Sequence, residues 1–418
     1  MTTKQTLHLT KKRRKTQVCK VYQVKVDKSK LSKKSLKHLN TLFLEGKWLY
    51  NTILSSQDIK NYDTKIKQVS VKVQDKLENR NLNYISSQIK QGIRDRTFQN
   101  ILNLSKLKKK GFKVGKLKFK SYFNCIPLKQ YKNTYTLFRK NNNIKLQGLR
   151  QKLKVNGLNQ IPDSAEIANA NLIKICNDFY FNITTYIKKI DKELPNNSIG
   201  IDFGCETQLT LSNGIKLKYQ VSIPKRLKQL DRKIMKKKRQ RSNNKLKDQA
   251  KRRVLYQKVI NKKQDIKNKI VSCLVNHYKY IVFQDESIHA WHAGRHGKKI
   301  QTTAIGGIIR DLKHKSRTPI MVSKFFPSTQ LCPSCKTKNK IPVWQRTYSC
   351  SCGYTEDRDI KSAKCIETEG LKNLVPTERR EVKPGEMETS VSTIFSNLEN
   401  IVDVSFCRKT HSLFFSHY

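Results

Sequence analysis

Acidic residues are scarce in this 418-residue sequence, which contains 31 aspartates and glutamates against 87 lysines and arginines. The formal net charge is therefore +56. The basic residues are not confined to one tail, because runs of them recur at 11–15, 106–120 and 225–241. A compact protein with so much like charge repels itself unless a polyanion neutralises it. Nucleic acid is the partner that this charge favours, since contacts of lysine and arginine with phosphates dominate its binding.

Long apolar runs are also absent. No stretch of about 18 consecutive apolar residues exists, and the lysine-rich N-terminal segment lacks the apolar core of a signal peptide. An anionic membrane is the rival polyanion, and we expect no membrane partner. The 11 cysteines are an odd number, and without a secretion signal they indicate a reducing compartment. We therefore expect a cytoplasmic protein.

Four of the cysteines form two close pairs. Two residues separate Cys332 from Cys335, one residue separates Cys350 from Cys352, and a gap of about fourteen residues lies between the pairs. Four thiolates complete a tetrahedral zinc shell and leave no open position, so the pattern predicts a structural zinc site. The second pair is tighter than the usual spacing, which leaves a shifted ligand set open as an alternative at Cys352.

Three carboxylates lie beside apolar runs at distant points of the chain. Asp202 interrupts the buried strand predicted at 198–204, and an isolated buried charge is costly unless a partner such as a cation compensates it. Glu286 follows a second apolar run, and Asp359 stands at the head of a predicted helix just after the cysteines. If the three side chains converge, they can hold two Mg²⁺ ions, which prefer carboxylate oxygen and support phosphodiester hydrolysis.

The remaining pattern gives a coarse order of elements. Alternation predicts a strand over 16–26, and apolar spacing predicts helices over 34–57 and 65–110. Lysine, phenylalanine and glycine interleave over 111–121, which favours a strand with phosphate-binding lysines on one side. Short alternating runs over 122–193 favour a small β-barrel or sheet.

Several motifs together resemble the TnpB (OrfB) family of insertion-sequence proteins, which are related to type V CRISPR effectors. They are IGIDFG, IVFQDESI, FPSTQLCPSC, CGYTEDRDIKSA and the earlier segment KLKFKS. The likeness extends over about 15–370 and is most specific in 325–366. It implies an α/β multidomain chain in which a zinc ribbon interrupts a RuvC-like nuclease with an RNase H fold. It also implies an N-terminal wedge β-barrel with an inserted helical recognition lobe.

The resemblance implies five regions. They are a wedge barrel at 1–33 and 111–195, a recognition lobe at 34–110, a RuvC-like domain at 196–325 and 354–370, a zinc ribbon at 326–353, and a flexible tail at 371–418.

The activity implied by the resemblance is RNA-guided, Mg²⁺-dependent cleavage of DNA, in which base pairing reads the target. The expected partners are a guide RNA derived from the transposon end and double-stranded target DNA carrying a short adjacent motif. We expect one protein copy per guide RNA, associated with a prokaryotic nucleoid. The alternatives are a nuclease-dead, RNA-guided repressor and a transposase that joins DNA strands.

When the family's catalytic positions are carried over to this sequence, the resemblance implies Asp202 as the first catalytic carboxylate and Asp359 as the last. A plain alignment puts Gln284 at the middle glutamate, and an amide supplies no charge. Glu286 lies two residues further on, on the same face of the predicted strand, so we expect it to complete the triad. Lys361 stands where the family often has asparagine.

Overall fold

The structure is a computed structural model that describes residues 3–73, 76–189, 193–237, 242–294, 296–342, 344–372 and 374, together with the backbone of 383–384 and 405–406. The chain divides into two compact units, Met1–Asp191 and Lys192–Tyr418. Both units combine helices and strands, which confirms the expected α/β character. Within the described ranges, no helix is long and apolar enough to cross a membrane.

The first unit contains three helices and nine strands in its described part. The helices are α1 (Thr3–Lys15), α2 (Lys33–Ser55) and α3 (Ser87–Lys109). The strands are β1 (Gln17–Val26), β2 (Gln68–Val73), β3 (Lys76–Asn81), β4 (Cys125–Leu128), β5 (Tyr135–Phe138), β6 (Asn143–Leu146), β7 (Leu153–Asn156), β8 (Glu166–Ile175) and β9 (Asp178–Lys188). Seven of the strands form one antiparallel sheet in the order β4-β8-β9-β1-β7-β6-β5.

This sheet curls into a nearly closed barrel. The Tyr135 hydroxyl, on the last strand of the order, donates a hydrogen bond to the carbonyl oxygen of Ala168 on β8, 2.9 Å away. Every second residue of β9 faces the core, where Phe179, Phe181 and Ile183 are buried. The sheet predicted from the alternating runs over 122–193 is thereby confirmed.

The helix predicted over 65–110 is wrong in its first half. An antiparallel ribbon, β2–β3, occupies 68–81, and α3 begins only at Ser87. Val69, Val71 and Val73 alternate with polar residues in β2. β-Branched side chains at alternate positions favour an extended strand over a helix, which explains the difference.

The strand expected over 111–121 does not form, and residues 112–120 have no regular secondary structure. Their backbone bonds instead to side chains of α2. The Asn51 amide donates to the carbonyl oxygen of Lys120 (3.0 Å), and the Lys120 N–H donates back to the Asn51 oxygen (2.9 Å). These side-chain bonds take backbone groups that a neighbouring strand would need.

The second unit contains a mixed sheet with helices packed against it. Its described helices are α4 (Lys225–Lys236), α5 (Asn243–His277), α6 (Ile288–Ala293), α7 (Gly297–Thr303), α8 (Ile305–Lys315) and α9 (Arg358–Leu371). Its described strands are β10 (Asn197–Phe203), β11 (Leu209–Leu211), β12 (Lys216–Lys218), β13 (Tyr280–Gln284), β14 (Thr318–Val322), β15 (Thr347–Ser349), β16 (Thr355–Asp357), β17 (Lys383–Pro384) and β18 (Ser405–Phe406). The sheet order is β14-β13-β10-β11-β12-β18, while β15 and β16 form a separate hairpin.

Strands β10, β13 and β14 run parallel, and β11 returns antiparallel to β10. β10 and β13 are buried on both faces over most of their length, as their continuous apolar runs predict. A turn at Asn213-Gly214 leads from β11 to β12, with Gly214 at a φ of 91° that favours glycine. Ser242 caps α5 by accepting a hydrogen bond from the Lys245 N–H.

Helix α9 packs unusually close to β10. A Cβ added at Gly200 would lie 2.2 Å from the carbonyl oxygen of Ala363, so only glycine permits this approach. Beside it, the buried Ser198 hydroxyl hydrogen-bonds to the Glu367 carboxylate. The close packing brings the first turn of α9 beside the end of β10.

The tail expected at 371–418 lies almost entirely outside the described residues. Within it, the structure describes residues 371, 372 and 374 and two short strands. Strand β17 pairs with β10, and β18 pairs with β12.

Candidate metal centres

The three carboxylates expected to form a site line one cavity of about 450 Å³. Asp202 lies near the end of β10, and Glu286 lies two residues beyond the end of the parallel neighbour β13. Asp359 lies in the first turn of α9. The fold therefore brings Asp202 and Asp359 to one cavity although they are 157 positions apart in the sequence. This convergence is what the hypothesis from the sequence requires.

Burial, and then repulsion between the acids, makes this cavity a costly place for negative charge. Burial raises the pKa of Asp202 to about 8, and the charges of Asp359 and Glu286 add to that rise. Burial also raises the pKa of Glu286, with a smaller contribution from Asp285. A divalent cation between the carboxylates would offset this repulsion, and carboxylate oxygens are the ligands that Mg²⁺ prefers. The donor set thus fits the expected ion.

Asp357 is not among the residues that line the cavity, although it is only two residues from Asp359. Its Oδ1 caps α9 by accepting hydrogen bonds from the backbone N–H groups of Asp359 (3.0 Å) and Ile360 (3.2 Å). The same oxygen pairs with the Lys216 amine at 2.6 Å. Because this cap fixes the start of α9, it also fixes the position of Asp359.

The structure separates the roles of Gln284 and Glu286. The buried Gln284 amide donates to the carbonyl oxygens of Ser323 (3.0 Å) and Phe326 (2.9 Å), and its oxygen accepts from the Ser328 hydroxyl (3.3 Å). Gln284 therefore fastens the segment that leads from β14 towards the cysteines.

Among the acidic side chains after β13, Asp285 points away and pairs with Lys313 at 2.8 Å. Glu286 lines the cavity and makes no side-chain hydrogen bond or ion pair with the part of the chain that the structure describes. Its carboxylate is therefore free of competing side-chain contacts within those residues, and its role as a metal ligand stays a prediction.

Two arginines at the cavity were not predicted from the sequence. The Arg346 guanidinium lies 3.8 Å from the Asp359 carboxylate, and Arg358 Nε lies 3.4 Å from it. Arg346 directly precedes β15, and the register of the hairpin β15–β16 pairs Thr347 with Asp357. That register is the signal that places Arg346 beside the acids, and spacing along the sequence does not reveal it.

The four predicted zinc ligands converge. The sulfur atoms of Cys332, Cys335, Cys350 and Cys352 all lie within 4.8 Å of one another. Two of the separations are 3.7 Å and 3.5 Å. Zinc–sulfur bonds of about 2.3 Å in a tetrahedron require sulfur atoms about 3.8 Å apart, so the four thiols fit a zinc ion with no shifted ligand set.

Tight turns after each cysteine pair create this geometry. Lys336 has a φ of 62° and Gly353 a φ of 86°, both in the left-handed region. The Lys336 N–H donates to the carbonyl oxygen of Cys332, and the Gly353 N–H donates to that of Cys350. Gly353 allows the second turn to close although only one residue separates its cysteines.

A buried lysine joins the cysteine cluster to the carboxylate cavity. Lys361, fully buried on α9, donates to the carbonyl oxygens of Ser328 (2.9 Å) and Leu331 (3.1 Å). Its amine also lies 4.1 Å from the centre of the Tyr348 ring. Since Ser328 in turn bonds to Gln284, one chain of contacts links the base of the cysteine turns to the cavity.

Comparison with known proteins gives two family models that match these segments. The model of a probable transposase, OrfB_IS605, matches 182–286, and a Cas12f1-like TNB domain matches 308–366. The first match contains Asp202 and Glu286, and the second contains Asp359 and the four cysteines.

A putative RNA-guided DNA endonuclease of Streptomyces pristinaespiralis is 28% identical over 185 residues. That match covers 42% of this chain and 45% of the relative, so it spans less than half of the relative's length. A solved Cas12f1–sgRNA–target DNA complex aligns with a TM-score of 0.45 and 14% identity, over 80% of this chain and 83% of that one.

Proposed function

The chain belongs to the TnpB (OrfB) family, and from this premise we propose that it is an RNA-guided DNA endonuclease that hydrolyses phosphodiester bonds. The observation that carries the proposal is the convergence of Asp202, Glu286 and Asp359 on one cavity. Three carboxylates on one cavity form a site for divalent cations, and the strongly basic chain supplies the affinity for nucleic acid.

We propose a RuvC-like domain of the RNase H type at 196–325 and 354–370. The supporting feature is the mixed sheet, in which parallel β14, β13 and β10 continue into antiparallel β11 and β12. The proposed zinc ribbon is 326–353. In the first unit, the proposed wedge barrel is 1–33 and 111–195, and 34–110 is the recognition lobe.

In the proposed mechanism, Asp202, Glu286 and Asp359 would hold the Mg²⁺ ions, since all three carboxylates line the same cavity. When bound, such ions activate a water molecule and stabilise the leaving oxygen of a phosphodiester. Arg346, whose side chain is 56% exposed at the cavity, donates to the scissile phosphate and positions it. The cap made by Asp357 and the contacts of Gln284 hold the walls of the cavity in place.

The zinc ion has a separate, structural role in this proposal. Its four thiolate ligands leave no open coordination position for a substrate. The ribbon carries Arg346 on its hairpin and is joined to α9 through Lys361, so a folded ribbon is needed for an intact cavity.

The proposed partners are a guide RNA derived from the transposon end and double-stranded DNA with a short adjacent motif, with one protein copy per guide. A nuclease-dead repressor was suggested by Gln284 at the usual glutamate position. The observation that weighs against it is that Glu286 brings a carboxylate to the cavity, which Gln284 also lines although its amide is bonded to backbone groups.

The proposal is tested by purifying the protein after co-expression with its native flanking DNA. We expect a bound RNA copied from that DNA, and cleavage of a matched duplex only when Mg²⁺ is present. A duplex with mismatches next to the adjacent motif serves as the control, because pairing begins there. Equal cleavage of matched and mismatched duplexes, or cleavage in a chelator, would contradict the proposal.

A further inference from the structure

The ribbon β2–β3 has two chemically different faces. Directly opposite residues of an antiparallel pair point to the same side. One side, here called the outer face, therefore carries Gln68, Ser70, Lys72, Leu77, Asn79 and Asn81. The other side, the inner face, carries Val69, Val71, Val73, Lys76, Glu78 and Arg80.

The outer face is solvent-exposed and rich in amides. All six of its side chains are solvent-exposed, and none of them is a carboxylate. Asparagine is disfavoured in strands, so the formation of the ribbon does not explain why Asn79 and Asn81 are there. Within the described residues of the ribbon, the carboxylate is that of Glu78. It lies on the inner face and pairs with Arg80.

The hydrogen bonds of the outer face leave its amides ready for a ligand. The Ser70 hydroxyl donates to the Asn79 oxygen at 2.8 Å, which turns the Asn79 NH₂ group outward as a donor. Gln68 and Asn81 stand directly opposite each other, and neither side chain has a hydrogen-bond partner within the described ranges. Each can present one donor and one acceptor together.

Buried contacts hold the ribbon in a fixed position. Val69 is 4% exposed in the core of this unit. After the ribbon, the buried Glu45 carboxylate accepts hydrogen bonds from the N–H groups of residues 83–85. Before the ribbon, the buried Lys90 amine donates to the carbonyl oxygen of Ile66. Two buried charged side chains therefore anchor the ends of an otherwise exposed element.

We propose that the outer face of this ribbon reads base edges in the major groove of double-stranded DNA beside the guide-matched target. This inference rests on the proposed function, and it names the element that recognises the adjacent motif. The major groove of B-form DNA admits a two-stranded ribbon, and an amide pairs with adenine through one donor and one acceptor. The major groove of A-form RNA is too narrow for side chains to read, which favours DNA.

The test compares two matched double variants of the guide-loaded protein. Gln68→Ala with Asn81→Ala removes a glutamine and an asparagine from the outer face. Gln99→Ala with Asn103→Ala removes the same two residue types from the exposed surface of α3, where they bond to each other. Each protein selects by binding, without cleavage, from matched duplexes whose flanking positions are randomised.

We expect the ribbon variant to lose about 10- to 100-fold of its base discrimination at one or two adjacent flanking positions. The α3 variant should keep the wild-type preference, and both should melt at the wild-type temperature because the changed residues are exposed. The salt dependence of binding should not change, since no cation that contacts phosphate is removed.

The inference is overturned if the ribbon variant keeps the wild-type base preference, or if it weakens binding to all duplexes equally. Loss of guide RNA binding with intact base preference would also overturn it, in favour of an RNA contact. The selection measures binding and not cleavage. A wild-type protein that selects a motif but does not cut would therefore contradict the proposed endonuclease, while the comparison of the two variants would still test the ribbon.

Discussion

Asp202→Asn and Asp359→Asn should each reduce the Mg²⁺-dependent cleavage of a matched duplex by about a thousandfold or more, since each removes a charge that holds the catalytic ions. Binding of guide RNA and DNA should remain near the wild-type level, because neither carboxylate contributes to the basic surface. Cleavage is measured by strand-scission kinetics and binding by titration at fixed salt.

The Asp202→Asn protein should also be more stable than the wild type when Mg²⁺ is left out of the buffer. Asp202 has a pKa of about 8 in the folded protein, well above its value in an unfolded chain. The folded state therefore holds the proton more tightly, and wild-type stability falls as the pH rises from about 4 to 8. Asparagine stays neutral, so the difference in melting temperature should grow over that pH range.

Added Mg²⁺ should reverse the order of the two melting temperatures. A ligand that binds only the folded state stabilises that state, and the wild type is expected to bind Mg²⁺ more tightly than Asp202→Asn. The wild type should gain melting temperature with Mg²⁺, and Asp202→Asn should gain little. Asp285→Asn is the matched control, since Asp285 is exposed and pairs with Lys313 outside the cavity. If both Asp202→Asn and Asp359→Asn still cleave at the wild-type rate, neither residue is catalytic.

Cys335→Ser should release the zinc ion and lower the melting temperature of the protein by about 10 °C or more, because binding of structural zinc supplies folding free energy. Cleavage should fall with it, since the ribbon carries Arg346 and contacts α9 through Lys361. Metal analysis, thermal melting and cleavage are measured on the same preparations.

Cys19→Ser is the control for this prediction, because Cys19 is an exposed thiol of β1 in the first unit. It should keep the zinc content, stability and activity of the wild type. A Cys335→Ser protein with one zinc ion per chain and unchanged cleavage would contradict the ligand set.

The sequence predicted the parts of the fold whose patterns are local. Apolar runs beside Asp202 and before Gln284 predicted two buried strands, and the spacing of the cysteines predicted their convergence. The helix over 65–110 was wrong because the alternating valines of β2 extend over only six residues. A short β-branched alternation inside a polar, lysine-rich stretch is a weak signal against the helical periodicity around it.

The strand expected over 111–121 failed for a different reason. Its alternation is real, but the Asn51 side chain of α2 bonds to the backbone at Lys120. A contact across 69 residues cannot be read from a local pattern. The same limit applies at the cavity, where the register of β15–β16 places Arg346 beside Asp359.

The choice between Gln284 and Glu286 shows the limit most clearly. Position along the strand allows either side chain to face the acids, and the resemblance by itself aligned the amide with the family's glutamate. The hydrogen bonds of Gln284 to Ser323 and Phe326 depend on how the segment after β14 folds back. Lys361 likewise acquires its contacts only from the folded ribbon.

The most direct test of the account is the cleavage rate of Glu286→Gln on a matched duplex in Mg²⁺, beside Gln284→Ala. We predict that Glu286→Gln loses about a thousandfold or more in rate with intact binding of guide and target, since it removes a metal ligand. Gln284→Ala should be less stable and still cleave, because its loss breaks hydrogen bonds and not a metal contact. A Glu286→Gln protein that cleaves at the wild-type rate would contradict the proposed triad.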